Sequence, residues 1–308
     1  MNTDTYLTDD AAGDRWQLML GDSCERLTEL PDESIHLSVY SPPFQSLYVY
    51  SATPRDLGNS ADRNTFFDHY RYVIREVHRL TRPGRISCVH TADVATTKAT
   101  HGVTGLYDFP GDVIRAHEAE GWTYTGRVWV DKDPQAQAIR TKSQALLFAT
   151  KNRDTSKTRP AIGDQLLIFR KPGDADPPIS VGVPTDDDRR RGGDVTNEEW
   201  IQWARPVWLG IRETHTLNAA VARDNADERH LHPLQLDFIE RCVRLWSNPG
   251  ETVLTPFAGI GSEVYTAVKL GRRGIGVELK PSYWRTAVDN LQRLENEMAE
   301  PTLFDEAG

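Results

Sequence analysis

The stretch 252–279 constrains the fold more tightly than any other part of the chain. A short apolar strand pattern over 252–254 runs into Thr255-Pro256-Phe257-Ala258-Gly259-Ile260-Gly261-Ser262, a helical pattern follows over 263–270, and a second strand over 274–279 carries Glu278 near its end. A strand that feeds a helix through a glycine turn and returns as a strand is a βαβ unit, which belongs in a parallel sheet. Gly259 and Gly261 let the backbone approach a ligand closely, and an acidic side chain at the next strand end accepts both hydroxyl protons of a ribose. The turn therefore suits a nucleoside-bearing cofactor. A pyrophosphate site fits less well, because the third glycine of GxGxxG is missing and nothing resembles GxxxxGKS. Taken alone, glycines in a strand-to-helix turn are also ordinary turn chemistry.

The amino-terminal part repeats this rhythm. Strand patterns at 16–20 and 35–40 flank a helical stretch over 23–30, with Gly21-Asp22 between the first strand and the helix. Apolar residues at helical spacing over 66–80 end at Arg82-Pro83-Gly84 and hand over to a strand at 86–90; a helix over 112–120 stops at Gly121. Two later strands, at 124–130 and 145–149, read as a possible antiparallel pair. From 152 to about 229 periodicity weakens, through Lys-Pro-Gly-Asp at 171–174 and a charge block at 186–191, while helices are expected over 233–246 and from Pro281. This order predicts an α/β sheet covered on both faces. Trp200, Trp203 and Trp208 fall on a short helix and its exit, where small-lobe core is favoured over a base-stacking platform.

With 308 residues, 38% of them hydrophobic and 26% charged, the chain can bury one large core. Its acidic start and the lack of any long apolar run predict a soluble, unexported, cytoplasmic protein. Cys24, Cys88 and Cys242 are scattered and form no zinc-type cluster. His90, His101 and His117 likewise lack ligand spacing and read as core or surface histidines. A net charge of -9 argues against nonspecific coating of nucleic acid, so any contact with phosphates must be local. Arg140, Lys142, Lys151, Arg153, Lys157, Arg159, Arg170 and Lys171 form one candidate basic cluster, and Arg189-Arg190-Arg191 a second. A solvated face of scattered charges accounts for them equally well.

The second chemical motif, Ser41-Pro42-Pro43-Phe44, directly follows the strand at 35–40. Two prolines at a strand's carboxyl end keep its carbonyls out of a ladder or helix and free to accept hydrogen bonds. A hydroxyl, free carbonyls and an aromatic ring are what an amino-group site needs: acceptors for the NH2 protons and a face on which to stack a base. A Pro-Pro turn by itself is common.

Together the two motifs resemble the DNA amino-methyltransferases, which methylate adenine N6 or cytosine N4. Phe257–Gly261 matches that family's FxGxG loop and Ser41–Phe44 its [DNS]PP[YFW] tetrapeptide; their order, with His232-Pro233 upstream of the glycine loop, resembles the permuted beta arrangement. The resemblance covers most of the chain and departs at Thr255, where the family often has Asp. It implies a Rossmann-like S-adenosylmethionine-dependent methyltransferase fold, with a seven-stranded mostly parallel sheet and a central insertion. The chain would divide into a catalytic part over 1–151, an insertion over 152–229 that recognises the target, and a cofactor-binding part over 230–308. S-adenosyl-L-methionine would be held by Gly21-Asp22 at its adenine, Glu278 at its ribose, the segment from His232 and Pro233 to Gln235 at its methionine end, and the loop Thr255, Pro256, Phe257, Gly259, Gly261 and Ser262. Ser41, Pro42, Pro43 and Phe44 would receive the base.

An exocyclic amine is a poor nucleophile because its lone pair is delocalised into the ring. Hydrogen bonds from NH2 to Ser41 and to the Pro42 carbonyl would favour pyramidal nitrogen, and in-line transfer at about 3 to 3.5 Å needs no covalent enzyme intermediate. A cytosine-C5 enzyme would need a nucleophilic Cys, typically after Pro, and no cysteine here follows a proline. The base must leave the duplex, with Phe44 its expected stacking partner. Ser at the head of the tetrapeptide leans toward cytosine N4 over adenine N6. Asp56, Gly58 and Asn59 form a candidate loop over the site. The partner is double-stranded DNA, with no membrane, and the protein a monomer or homodimer. An RNA or protein-amide methyltransferase, a catalytically silent DNA-binding protein and a dinucleotide oxidoreductase are the competing readings; the last leaves Ser41–Phe44 without a role.

Overall fold

The computed structural model describes residues 7–43, 57, 63–96, 98, 102–136, 146, 148, 151–152, 154–183, 193–217 and 233–299. Its strands are β1 (Asp9–Ala12), β2 (Trp16–Leu20), β3 (Ile35–Tyr40), β4 (Thr81–Ala92), β5 (Val94–Thr96), β6 (Gly105–Tyr107), β7 (Thr123–Val130), β8 (Asp164–Arg170), β9 (Val207–Trp208), β10 (Thr252–Thr255) and β11 (Arg273–Glu278). Its α-helices are α1 (Ser23–Arg26), α2 (Arg63–Leu80), α3 (Phe109–Ala119), α4 (Asn197–Trp203), α5 (Leu236–Trp246), α6 (Ser262–Lys269) and α7 (Pro281–Ala299).

Local chemistry explains the element ends. Asp108 caps α3 by accepting from the Gly111 amide at 2.8 Å, with Pro110 in the first turn. Thr196 and Glu199 form a reciprocal capping box on α4. In α2 the buried residues Phe66, Tyr70, Val73, Ile74, Val77 and Leu80 recur at helical spacing, and so dictate which face meets the sheet.

The main sheet runs β1-β2-β11-β10-β3-β4-β8-β7-β9. From β2 through β4 every neighbouring pair is parallel; β8 lies antiparallel between β4 and β7. The seven strands from β2 to β7 are the expected sheet, and the short β1 and β9 add an edge each. Helices α2 and α3 cover one face through Phe66, Tyr70, Phe109 and Val113, and α5, α6 and α7 cover the other through Phe238, Val264 and Leu291.

Two expectations change. Segment 152–229 is not set apart from the sheet, because its residues Asp164–Arg170 form β8, the strand that pairs with both β4 and β7. Gln-Leu-Leu-Ile-Phe is apolar enough for a buried strand, but its flanks lack the helical partner that marks a βαβ unit. The strand expected at 145–149 lies largely outside the described residues. The tryptophans also divide: Trp208 is buried in the core against Phe238 and Trp246, Trp203 is buried beneath Arg241 and Arg244, and Trp200 is exposed. No helix among the described residues is long and apolar enough to cross a membrane.

The amino-terminal end of the parallel strands is fastened by a buried ion pair. Arg85 on β4 meets both carboxylate oxygens of Glu251, just before β10, at 2.6 and 3.0 Å. Glu251 also accepts from the backbone and side-chain amides of Asn248. Removing one partner of such a pair strands the other charge away from water. Glu251→Ala is expected to cost about 3–5 kcal/mol, read as a lower urea midpoint.

Candidate active site

Both motifs stand at the carboxyl end of the parallel strands, and the β3–β10 pairing sets them side by side. Val253 pairs with Leu37 and Leu254 with Ser38, so the chain leaves β3 into Ser41 next to where it leaves β10 into Pro256. The Phe257 ring packs on Tyr40 at 5.9 Å and Tyr70 at 6.3 Å, which locks the two exits together.

The glycine loop is held from three sides. The Ala258 amide donates to the Val277 carbonyl at 2.8 Å, Ser23 on α1 donates its hydroxyl to the Pro256 carbonyl, and Asn290 on α7 donates to the Ile260 carbonyl at 3.0 Å. Gly261 caps α6 with φ +87°, and a Cβ there would approach Ala287 Cβ at 3.1 Å, so glycine is required where α6 meets α7. Gly259, at φ +53°, would project a Cβ into space with no atom within 4 Å. That space is open above the loop.

Glu278 ends β11 with its carboxylate fixed by backbone amides. Oε2 accepts from Gly259 at 2.7 Å and Oε1 from Lys280 at 2.8 Å. The Gly21 amide donates to the Glu278 carbonyl at 2.9 Å, bringing Asp22 to the same strand ends, where it caps α1 by accepting from the Cys24 amide. Beside Glu278 lies a second carboxyl the sequence did not point to. Glu263, in the first turn of α6, is 5% exposed, and burial, with the Glu278 charge adding, pushes it up to about 8. At neutral pH it is a neutral acid.

Thr255 closes β10, Pro256 and Phe257 begin the loop, and Ser262 opens α6. Thr255 Oγ1, Ser262 Oγ and, at the start of α5, Gln235 Oε1 are buried without a hydrogen-bond partner among the described residues. Pro233 precedes α5, whose first turn carries Phe238 against His90, at 5.1 Å between rings. The structure thus gathers Ser41, Pro42, Pro43, Asp22, Pro233, Gln235, the glycine loop and Glu278 at one end of the sheet. Phe44, His232, Asp56, Gly58 and Asn59 lie outside the described residues.

His90, read from the sequence as a core or surface histidine, is buried with both ring nitrogens partnered, and its partners place it in the site. Its Nδ1 is 3.2 Å from Ser41 Oγ, its Nε2 2.9 Å from Asp164 Oδ2, and Lys132 Nζ lies 2.7 Å from that same oxygen. The available signal was register: Tyr40 pairs with Val89, so the next residues, Ser41 and His90, are neighbours. His117, by contrast, is a satisfied core histidine. Its Nδ1 donates to the Val113 carbonyl at 2.8 Å, Tyr40 Oη lies 3.1 Å from Nε2, and burial lowers it to about 3.

Of the expected basic cluster, Arg170 and Lys171 stand away from this end. Because β8 runs antiparallel, Asp164 stands at the site and Arg170 at the opposite end of the sheet. There Arg170 donates to the Gly173 carbonyl, and Lys171 to the Thr81 carbonyl at 2.7 Å with Glu33 3.5 Å away. Arg159 donates to the Gly105 carbonyl at 3.1 Å. These cations serve internal partners. Lys151 is exposed, while Arg140, Lys142, Arg153 and Arg189–Arg191 fall outside the described residues, as does the side chain of Lys157.

A mostly parallel sheet with a strand-end carboxylate over a glycine turn, beside a Pro-Pro turn, is a Rossmann-like arrangement of the kind that binds nucleoside-bearing ligands at its strand ends. Residues 35–289 match the N6/N4 family described as DNA methylase, and the chain belongs to that family. It is 25% identical over 295 residues to the type II methyltransferase M.MjaI of Methanocaldococcus jannaschii, covering 86% of this chain and 88% of that one. Among solved structures it is similar to TTHA0409 of Thermus thermophilus, assigned as a DNA modification methylase and solved with S-adenosyl-L-methionine. That likeness has TM-score 0.64 and 26% identity, over 93% of this chain and 95% of that one. PvuII DNA methyltransferase, which is cytosine-N4-specific, shares the fold with TM-score 0.61 and 16% identity over 93% of each chain.

Glu263 gives a pH test. A carboxyl whose value is raised by folding stabilises fully below its unfolded value of 4.5 and loses that contribution as pH rises to about 8. Glu263→Gln should therefore gain stability relative to the native chain across this window and hold a constant lead above it, followed by thermal unfolding at several pH values.

Proposed function

We propose that this protein is a site-specific DNA methyltransferase that moves the methyl group of S-adenosyl-L-methionine onto the exocyclic amino group of a base turned out of the duplex, with cytosine N4 favoured over adenine N6. The carrying observation is the β3–β10 pairing, which sets Ser41-Pro42-Pro43 beside the glycine loop and Glu278.

The residues present fit the cofactor. Glu278 is pinned by two amides at the end of β11, beside the glycine loop, where its carboxylate would meet the ribose hydroxyls. Gly259 leaves the space over the loop open, and the orphaned Thr255 Oγ1, Ser262 Oγ and Gln235 Oε1 are polar groups that a polar ligand would satisfy. Asp22 would take the adenine end and the segment 232–235 the methionine end. The cofactor supplies an electrophilic methyl group. Ser41 and the Pro42 carbonyl would accept from the amine, orienting its lone pair, and Phe44 would stack the base.

The lean to cytosine rests on Ser41 heading the tetrapeptide, where adenine-N6 enzymes more often carry Asp. Duplex contacts are assigned to segment 152–229 outside β8. The overall charge of -9 makes those contacts local, with the block Arg189–Arg191 a candidate.

Incubation with methyl-labelled S-adenosylmethionine and unmodified DNA, digestion to nucleosides and mass analysis should yield labelled N4-methylcytosine. Label in N6-methyladenine would reassign the base, and no label on DNA despite cofactor binding would overturn the reading. Ser41→Ala should lower kcat by about a hundredfold or more with cofactor Kd unchanged. Glu278→Ala should do the reverse first, raising cofactor Kd by at least about a hundredfold, since two charge-assisted hydrogen bonds are lost.

A further inference from the structure

The assembly behind Ser41 exceeds what holding an amine requires. A single hydroxyl needs no support to accept a hydrogen bond, yet Ser41 is backed by His90, Asp164 and Lys132, drawn from β4, β8 and the exit of β7. Their side chains are 11%, 14% and 3% exposed. The Phe238 ring on α5 meets the imidazole edge-on, at an interplanar angle of 82°, and fixes its plane.

The proton positions follow from the charges. Burial opposes ionisation of Asp164, but the Lys132 ammonium at 2.7 Å and the hydrogen bond to His90 at 2.9 Å hold the carboxyl below the usual carboxylate range. Asp164 is then an acceptor only, so His90 Nε2 must carry a hydrogen. In a neutral imidazole this leaves Nδ1 as a bare acceptor facing Ser41 Oγ at 3.2 Å. Ser41 must donate its one hydrogen inward. Its remaining lone pairs then point away from His90, so toward the amine Ser41 can only accept. Lys132 has a separate effect: by keeping Asp164 a weak base it prevents a proton on His90 from passing to the carboxylate.

We propose that His90, oriented by Asp164 and Lys132, is a positioning residue that makes Ser41 an obligate acceptor and serves through it as the sink for the proton released by amino methylation. The proposal rests on the methyltransferase reading above. Once nitrogen has gained the methyl group it carries one proton in excess. The N–H bond breaks toward Ser41 Oγ while the Ser41 O–H bond breaks toward His90 Nδ1, leaving a neutral methylamine, a restored serine and an imidazolium beside Asp164. The imidazolium later loses its proton to solvent. The ordering of Ser, His and Asp is that of the hydrolytic triads, but here the serine oxygen forms no bond to carbon.

Two measurements test this. Nitrogen-15 NMR of the imidazoles in the free protein should show His90 in the Nε2–H form, assigned by its loss in His90→Asn; an Nδ1–H form would overturn the proposal whatever the activity. In the labelled-DNA assay, native kcat should fall at acid pH through one ionisation. His90→Ala, checked for folding by circular dichroism, should lose that limb, drop in kcat by about a hundredfold, keep its cofactor KM and recover in part with added imidazole. Lys132→Met provides a second variant in which the limb should shift. A His90→Ala enzyme with native kcat, or with lowered kcat, the native pH profile and no imidazole rescue, would overturn the relay. If native protein labels no DNA, the methyltransferase reading fails instead, and the NMR result still judges the hydrogen-bond polarity.

Discussion

The parallel pairing of β3 with β10 is the contact on which the site depends. It joins residues more than two hundred positions apart, Leu37 to Val253 and Ser38 to Leu254, and so brings together two motifs from opposite ends of the chain. Loop-closure entropy over such a separation is recovered only through burial, and the strands supply it: Leu37, Val39, Val253 and Leu254 are fully or nearly fully buried. Since all strands from β2 to β4 point the same way, their carboxyl ends form one ledge. The Ser41–Pro43 turn, the glycine loop, Glu278 and His90 all stand on it.

Electrostatics divides this sheet into two ends with different duties. At the amino-terminal end charge is neutralised in place, by Arg85 with Glu251 and by Lys171 with the Thr81 carbonyl and Glu33. At the carboxyl end carboxylates are kept apart by unequal environments. Glu278 is tied to amides, Glu263 is pushed neutral by burial, and Asp164 is held ionised by His90 and Lys132. Carboxyls held in different protonation states at one end of a sheet are a mark of functional sites.

Most of this architecture was legible from residues alone, for an identifiable reason. The βαβ units announce themselves locally, through apolar runs broken by Gly21, Gly121, Gly259 and Gly261, and the strands at Trp16–Leu20 and Ile35–Tyr40 fall where the pattern puts them. Ser41, Asp22, the glycine loop and Glu278 stand at strand exits, and exits can be read from a sequence. β8 could not be read this way, because residues 131–163 separate it from β7 and no tight hairpin turn announces the pairing. With β8 went Asp164, and without Asp164 nothing distinguished His90 from a core histidine. Ser23 and Asn290, which hold the glycine loop, are hidden because their partners are backbone carbonyls of distant segments.

The reversed direction of β8 has an architectural consequence. The chain leaves the ledge after β7 at Lys132 and returns to it at Asp164, and the ion pair between these two residues clasps the excursion at its base. A loop closed at a fixed neck costs only about 0.6 kcal/mol more for each doubling of its length. Its contents can therefore be lengthened, shortened or rewritten without moving the neck, so this excursion is a place where a common chemical floor can accept different superstructures.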